Sequence, residues 1–201
     1  MGKRLKHPAQ IMSSLGMGIS LLLIAGQVQA LPGQSPDEAE AWIQSHPTLR
    51  PASGEKLLIR KSATPAQRFQ FRSSLLQVGR SSPGPTGGII RTEEISIYDM
   101  INGVTVARLQ EALRAIYGAV IYQDYINARV VYQYPDRANV NQAVNQKTPL
   151  LAEIQGEVRE GDRYAYWLEI ATNDNGFAYT GRATVFLKSD LPKLETELRG
   201  R

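Results

Sequence analysis

Residues 104–134 read VTVARLQEALRAIYGAVIYQDYINARVVYQY, and this stretch decides the fold that the sequence predicts. Its first part predicts a helix over residues 105–117, because apolar residues recur there every three or four positions and form one stripe. The stripe consists of Val106, Leu109, Ala112, Leu113, Ile116 and Tyr117. Gly118 would end this helix, since glycine readily adopts the left-handed conformation found at helix C-termini. Residues 119–134 are rich in β-branched and aromatic types and predict strand.

A helix with one apolar stripe needs a sheet to cover it, and strand-like segments lie on both sides of the helix in the chain. Residues 56–61 and 68–78 predict two strands ahead of the helix. Residues 89–101 fit either a strand or a helix start, and we predict a strand from the alternation of Ile95 and Ile97. Three more strands are predicted beyond the helix, over residues 150–159, 164–172 and 177–188.

Short helices are predicted near both ends of the folded part. Ser35 followed by Pro36 is typical of a helix start, and Ser189 or Asp190 would begin a second short helix near the C-terminus. The sequence therefore predicts an α+β fold, in which an antiparallel β-meander sheet packs against one main helix at about residues 105–117, with short terminal helices.

The pairing of the last two strands can be predicted from the turn sequence between them. Asn175-Gly176 is typical of a two-residue hairpin turn, which would place Asp174 opposite Phe177. This register puts three mostly apolar pairs on one face, namely Ile170/Gly181, Leu168/Ala183 and Tyr166/Val185. The other face then carries Glu169 opposite Arg182 and Trp167 opposite Thr184. Such a pattern is typical of a sheet with one apolar face and one more polar, solvent-exposed face.

Residues 1–30 have the three parts of a secretory signal peptide: a basic start, an apolar middle and a small-residue exit at Val28-Gln29-Ala30. The apolar run is shorter than the ~20 residues that span a bilayer, which favours cleavage over an uncleaved membrane anchor. Cleavage after Ala30 would leave 171 of the 201 residues. We therefore expect an exported protein, periplasmic or extracellular, with no transmembrane span after cleavage.

The mature chain divides into segments of different composition. Residues 31–80 hold the N-terminal helix and a basic β segment, residues 81–88 form a Pro/Gly-rich loop, and residues 89–201 form the α+β core. We expect residues 31–201 to be one domain, since this length suits a single core. The chain contains no cysteine, which excludes disulfide bonds and thiolate chemistry.

The charges of the mature chain are unevenly distributed. Residues 50–91 contain eight Lys or Arg residues and a single acid, Glu55. Such asymmetry indicates an anionic partner, although a solvated basic surface is the simpler alternative. The cations that we expect to bind the partner are Lys56, Arg60, Lys61, Arg68 and Arg72. For an exported protein the partner would be an envelope protein, an anionic lipid surface or an acidic polysaccharide rather than nucleic acid.

Few residues offer catalytic or metal chemistry. His46 is the only histidine after residue 30, and no Gly-x-Ser-x-Gly motif occurs, so we predict no nucleophilic catalytic site. One histidine without cysteine leaves no zinc site, and we expect no metal or cofactor. One enzyme hypothesis remains, in which two carboxylates on either side of a sugar catalyse acid/base hydrolysis. The candidates are Glu153 and Glu157, with Glu169 on the next strand.

Two aromatic residues, Trp167 and Phe186, fall on the charged face in the predicted register. Either the N-terminal segment covers them through Trp42, or they form an exposed contact patch. We therefore expect a non-enzymatic exported protein that binds or scaffolds a partner at the envelope. A carboxylate-dependent hydrolase of cell-wall or exported polysaccharide is the alternative.

Overall fold

The computed structural model describes residues 31–79, 88–135, 153–173 and 175–200. The predicted signal peptide and residues 81–87 of the predicted loop lie outside these ranges. The predicted α+β fold is confirmed, because the described strands form one antiparallel sheet in the order β1-β2-β3-β7-β6-β5-β4. The strands are β1 Leu58–Thr64, β2 Gln67–Ser74, β3 Thr92–Asp99, β4 Arg129–Tyr134, β5 Ile154–Glu160, β6 Ala165–Thr172 and β7 Ala178–Phe186. The helices are α1 Pro36–Ser45, α2 Val106–Asn127 and α3 Leu191–Arg199, with a 3₁₀ turn Lys188–Asp190 before α3.

The sheet consists of two meanders that meet at its centre. Strands β1 to β3 follow one another in space, as do β4 to β7, and β3 pairs with β7. The chain therefore passes from the central strand β3 to the edge strand β4, and α2 makes this crossing while it contacts β3, β7 and β6. The strand that the sequence predicted over residues 89–101 is β3.

Helix α2 is longer than predicted, because residues 119–127 are helical and only Arg129–Tyr134 forms a strand. Gly118 has the non-helical angles φ 74° and ψ −173°. The first helical segment of α2 therefore ends at this glycine, as the sequence predicted, and a second helical segment begins after the kink. Beyond the bend, Ile121 and Tyr125 are buried four residues apart and continue the apolar stripe. The prediction of strand for residues 119–127 was wrong because these side chains pack against the sheet as a helix.

Helices cover both faces of the sheet. Helices α1 and α2 lie on one face, here called the helical face, where Trp42 stacks with Tyr117 and contacts Phe71. Helix α3 packs on one end of the opposite face through Leu191, Leu194 and Leu198. The rest of that opposite face, here called the open face, has no helix over it within the described ranges. The described residues therefore form two buried clusters, one on each face of the sheet.

The β6–β7 register agrees with the sequence at all five predicted pairs, from Ile170/Gly181 to Tyr166/Val185 and Trp167/Thr184. The turn differs, because the register shifts after Ala171 and the Asn173 backbone N–H donates to the Phe177 carbonyl at 3.0 Å. The predicted pair of Asp174 with Phe177 includes a residue outside the described ranges. The Asn173 side chain also accepts from the Phe177 N–H, so this side chain organises the turn.

The predicted helix starts are found where the sequence placed them. Ser35 caps α1 and forms a reciprocal capping box with Glu38, whereas Asp190 precedes α3 without a side-chain cap hydrogen bond. Asp190 instead accepts two hydrogen bonds from Arg91, including one of 3.0 Å from Nε. This buried pair joins the start of α3 to the chain just before β3.

Candidate functional site

Three of the predicted anion-binding cations lie together on the open face. In the β1–β2 pairing, Arg60 is opposite Gln70, and Arg68 and Arg72 are the two neighbours of Gln70 on the same face of β2. Side chains of directly paired residues share a face, so the three arginines project to the same side. All three are exposed to solvent. The strand alternation that the sequence showed is the signal that groups them.

Lys56 and Lys61 are not part of this group. Lys56 precedes β1 and pairs with Glu40 of α1 at 3.2 Å. Lys61 is opposite Phe69, on the helical face, and its Nζ donates to the Thr48 carbonyl at 2.8 Å. The five predicted cations are therefore divided. Three lie on the open face, whereas Lys56 and Lys61 contact α1 and the loop that follows it.

Arg182 is a fourth arginine on the open face, and the sequence had predicted it only as the partner of Glu169. Its guanidinium carbon lies 3.9 Å from the centre of the Trp167 ring, and its Nη2 lies 2.8 Å from Glu169 Oε1. Arg68 makes a similar contact, 4.2 Å from the centre of the Tyr98 ring. Stacking on an aromatic ring holds a guanidinium in place and leaves its edge able to bind an anion.

Carboxylates are also present near these arginines. Glu94 lies opposite Arg72 at 3.3 Å, and Glu55 accepts from the backbone N–H groups of Ala52 and Arg60, both at 2.8 Å. The Ala52 and Arg60 bonds hold the pKa of Glu55 below its ordinary value. Together with Glu169, these acids neutralise part of the charge, but Arg60 and Arg68 form no salt bridge within the described chain.

Trp167 and Phe186 do not form an exposed contact patch. Trp167 is 2% exposed and Phe186 is fully buried, because α3 and Val78 pack over them. Their cover is therefore the C-terminal helix together with Val78 of the N-terminal segment. The predicted cover by Trp42 was wrong, since Trp42 lies on the helical face. Trp167 Nε1 donates to the Tyr134 hydroxyl at 2.7 Å, and this hydroxyl donates in turn to Glu169.

Two of the three glutamates of the hydrolase hypothesis, Glu157 and Glu169, line one cavity, but they do so from opposite faces of the sheet. Glu157 is paired with Leu168 and lies on the helical face, whereas Glu169 is paired with Gly156 and lies on the opposite face. Glu153 precedes β5. Glu157 lines a cavity of about 480 Å³ near the start of α2, but it already accepts hydrogen bonds from Tyr125 at 2.9 Å and from Arg159 at 2.8 Å.

His46 has a structural role at the end of α1. Its Nε2 lies 2.9 Å from the Ile116 carbonyl, and its Nδ1 accepts from the backbone N–H groups of Thr48 and Leu49 at 3.2 Å each. The neutral ring with hydrogen on Nε2 satisfies all three contacts. Burial lowers the pKa of His46, which also favours the neutral ring.

Within the described ranges, no group of three or more His, Cys, Asp or Glu side chains is placed to hold a metal ion. The helices of the same ranges include none with the length and hydrophobicity needed to cross a bilayer. Comparison with protein-family models, curated proteins and solved structures finds no match to this chain.

Proposed function

We propose that this protein is an exported, non-enzymatic binding module of the cell envelope, and that its open face contacts an anionic partner. The observation that carries the proposal is the position of Arg60, Arg68 and Arg72, which share one exposed face of two neighbouring strands. Arg182 extends this positive surface across β7. An exposed surface of this kind raises the local concentration of anions and favours their binding.

The arrangement of the arginines supports binding rather than simple solvation. Arg68 and Arg182 are held by Tyr98 and Trp167, so that less side-chain entropy is lost when a ligand binds. Within the described residues, Arg60 and Arg68 form no salt bridge, and Glu55 offsets only part of the charge of Arg60. An anionic ligand would therefore supply ion pairs that these arginines lack.

The hydrolase alternative receives no such support from the geometry. A pair of catalytic carboxylates must face the same sugar from about 5 to 9.5 Å apart, and Glu157 and Glu169 project from opposite faces of the sheet. Both carboxylates are also engaged by arginines, Glu157 by Arg159 and Glu169 by Arg182.

Replacing Arg60, Arg68 and Arg72 together by Gln should abolish most of the binding to anionic partners. The measurement is co-sedimentation of the mature protein with vesicles of increasing anionic-lipid content and with insoluble acidic polysaccharide. Wild-type binding should weaken as salt rises, because charges more than about 8 Å apart are screened at physiological ionic strength.

A matched control replaces three exposed arginines elsewhere by Gln: Arg50 after α1, Arg114 on α2 and Arg163 in the β5–β6 turn. This control changes the net charge by the same amount but leaves the open face intact, so it should bind like the wild type. Equal loss in both triple variants, or binding that ignores salt, would show that the open face is an ordinary solvated surface.

Export is proposed from the sequence of residues 1–30, which end in Val28-Gln29-Ala30. We expect the mature protein, isolated from the envelope of its source cell, to begin at Leu31, and an intact-mass measurement checks this. Mature protein that retains Met1 would contradict the proposed cleavage.

A further inference from the structure

Three turns lie side by side at the end of the sheet where α2 begins. Their described residues are 65–66 between β1 and β2, 100–105 between β3 and α2, and 173 and 175–177 between β6 and β7. The Met100 N–H donates to the Ala66 carbonyl at 3.0 Å, which joins the first two turns. The Phe177 ring lies over Gly103, where an added Cβ would be 3.2 Å from the ring, and this contact joins the second turn to the third. The three turns therefore form one continuous surface, here called the tip.

Apolar side chains are concentrated at this end of the sheet. Ten large hydrophobic side chains of the described residues are exposed, and half of them lie here. They are Met100, Ile101 and Phe177 in the turns, Val106 at the start of α2 and Ile154 at the start of β5. Ile101 is the most exposed of the ten, at 60%. Single exposed apolar side chains are ordinary, but a cluster of them indicates a surface that contacts a membrane or another molecule.

The exposed arginines of the open face begin directly beside the tip. Arg68 is opposite Tyr98, one residue before the end of β3, and its guanidinium stacks on that ring. Arg60 is opposite Gln70, two residues farther along β2, and Arg72 follows after two more. At about 3.3 Å per residue, Arg60 and Arg72 lie roughly 7 Å and 13 Å farther from the tip than Arg68.

An anionic lipid bilayer matches this order of apolar and charged groups. Its hydrocarbon interior lies beneath a headgroup layer roughly 5–8 Å thick, so apolar side chains at the tip and the first arginines behind it would each meet their own layer. Tyrosine is enriched at the boundary between these layers, and Tyr98 contacts Tyr179 edge to face close to the tip. A soluble acidic polysaccharide would pair with the arginines but leave the apolar side chains in water.

We propose that the tip inserts into an anionic lipid bilayer, with Arg68 and Arg60 at the level of the lipid phosphate groups. The proposal rests on the proposed function, since it names lipid as the anionic partner of the open face. Met100, Ile101 and Phe177 then reach the hydrocarbon boundary, and Arg72 stays in the water above the headgroups.

The first test places a fluorescent reporter at the tip. The emission of Ile101→Trp should shift to the blue on addition of vesicles of phosphatidylcholine and phosphatidylglycerol in equal parts, and lipids brominated on their acyl chains should quench it. The wild-type emission should change little, because Trp42 and Trp167 are only 8% and 2% exposed. Val120→Trp is the matched control, since Val120 is 54% exposed but lies in the second half of α2, and its emission should not shift.

The second test removes apolar surface without changing the net charge. A variant with both Met100→Ser and Ile101→Ser should bind the same vesicles about tenfold more weakly in co-sedimentation. It should also lose the part of the binding that persists at high salt, because apolar burial is not screened. Its binding to acidic polysaccharide should equal that of the wild type. The control combines Val120→Ser with Ile126→Ser, two exposed apolar residues of α2, and should bind vesicles normally.

Wild-type vesicle binding by the Met100/Ile101 variant, together with an unshifted Ile101→Trp emission, would overturn insertion of the tip. The proposed function would still stand if the Arg60/Arg68/Arg72 variant lost its binding. Tighter binding of the wild type to acidic polysaccharide than to vesicles would overturn the assignment to lipid. A dimer in sedimentation velocity that the Met100/Ile101 variant abolishes would also overturn it, since a second copy would then cover the tip. Failure of all the anionic partners to bind would overturn the proposed function as well.

Discussion

At the scale of single residues, Glu93 is the most unusual member of the sheet, because its carboxyl group is fully buried. It lies in β3 on the helical face, fully buried, beside Val185 and Ser73. Ser73 Oγ donates to its carboxylate at 2.7 Å. Burial raises the pKa of Glu93 to about 7, although hydrogen bonds from Ser73 and Tyr117 lower it in part. No apolar or acidic pattern in the sequence distinguished Glu93 from its partly buried neighbour Glu94.

The raised pKa gives a prediction for stability against pH. The folded protein holds this proton more tightly than the unfolded chain, so the contribution of Glu93 is fully present below about pH 4.5 and is lost as the pH rises through about 7. Glu93→Gln imitates the protonated carboxyl. Its free energy of unfolding should therefore match the wild type near pH 5 and exceed it by about 2–3 kcal/mol near pH 8.5.

Urea unfolding at the two pH values measures this difference. Glu94→Gln is the control, since Glu94 is the next residue on β3 but lies on the open face beside Arg72. It should not gain stability as the pH rises. A Glu93→Gln variant that is less stable than the wild type at the alkaline pH would show that the buried carboxylate is stabilised when ionised.

At the scale of elements, α2 shows how tertiary contacts override local preference. Residues 119–127 are rich in the residue types that favour strands, but they form the second half of the helix. Asp124 in this half accepts from the backbone N–H of Asp162 at 2.9 Å and from the Tyr166 hydroxyl at 2.6 Å. These partners lie about forty positions away along the chain, so a local pattern does not reveal them.

The bend of α2 gives a second prediction. Gly118 has φ 74° and ψ −173°, a conformation that is essentially restricted to glycine. Gly118→Ala should therefore lower the free energy of unfolding by about 1–3 kcal/mol. Gly200→Ala is the matched control, because Gly200 ends α3 at φ −90° with ordinary space around its Cα. Equal stability of the two variants, by thermal unfolding, would mean that the bend carries no strain.

At the scale of the whole molecule, one sheet is covered twice, by α1 and α2 on the helical face and by α3 on part of the other. This arrangement leaves the arginines of β1, β2 and β7 on the uncovered part. The sequence predicted the sheet and its main helix, but it attributed Trp167 and Phe186 to an exposed patch or to cover by Trp42. The short helix Leu191–Arg199 contains three buried leucines. Nothing else in its sequence indicates which face of the sheet it packs against.

The sequence by itself determined the elements whose signals are local. Strand alternation, the Ser35 cap and the β6–β7 register were all visible in it, because each depends on residues a few positions apart or on one short turn. It also showed that the basic residues are concentrated in residues 50–91 and that Arg68 and Arg72 alternate onto one face, although not that Arg60 shares this face.

Only the tertiary structure decided which side chains meet from distant parts of the chain. It separated Lys56 and Lys61 from the open face, placed Glu157 and Glu169 on opposite faces, and brought Arg72 to a cleft that Arg182 also lines. The physical reason is the strand order, since β3 pairs with β7, more than eighty positions later in the chain. This pairing is selected by burial of the helical face and of part of the other face rather than by any local preference.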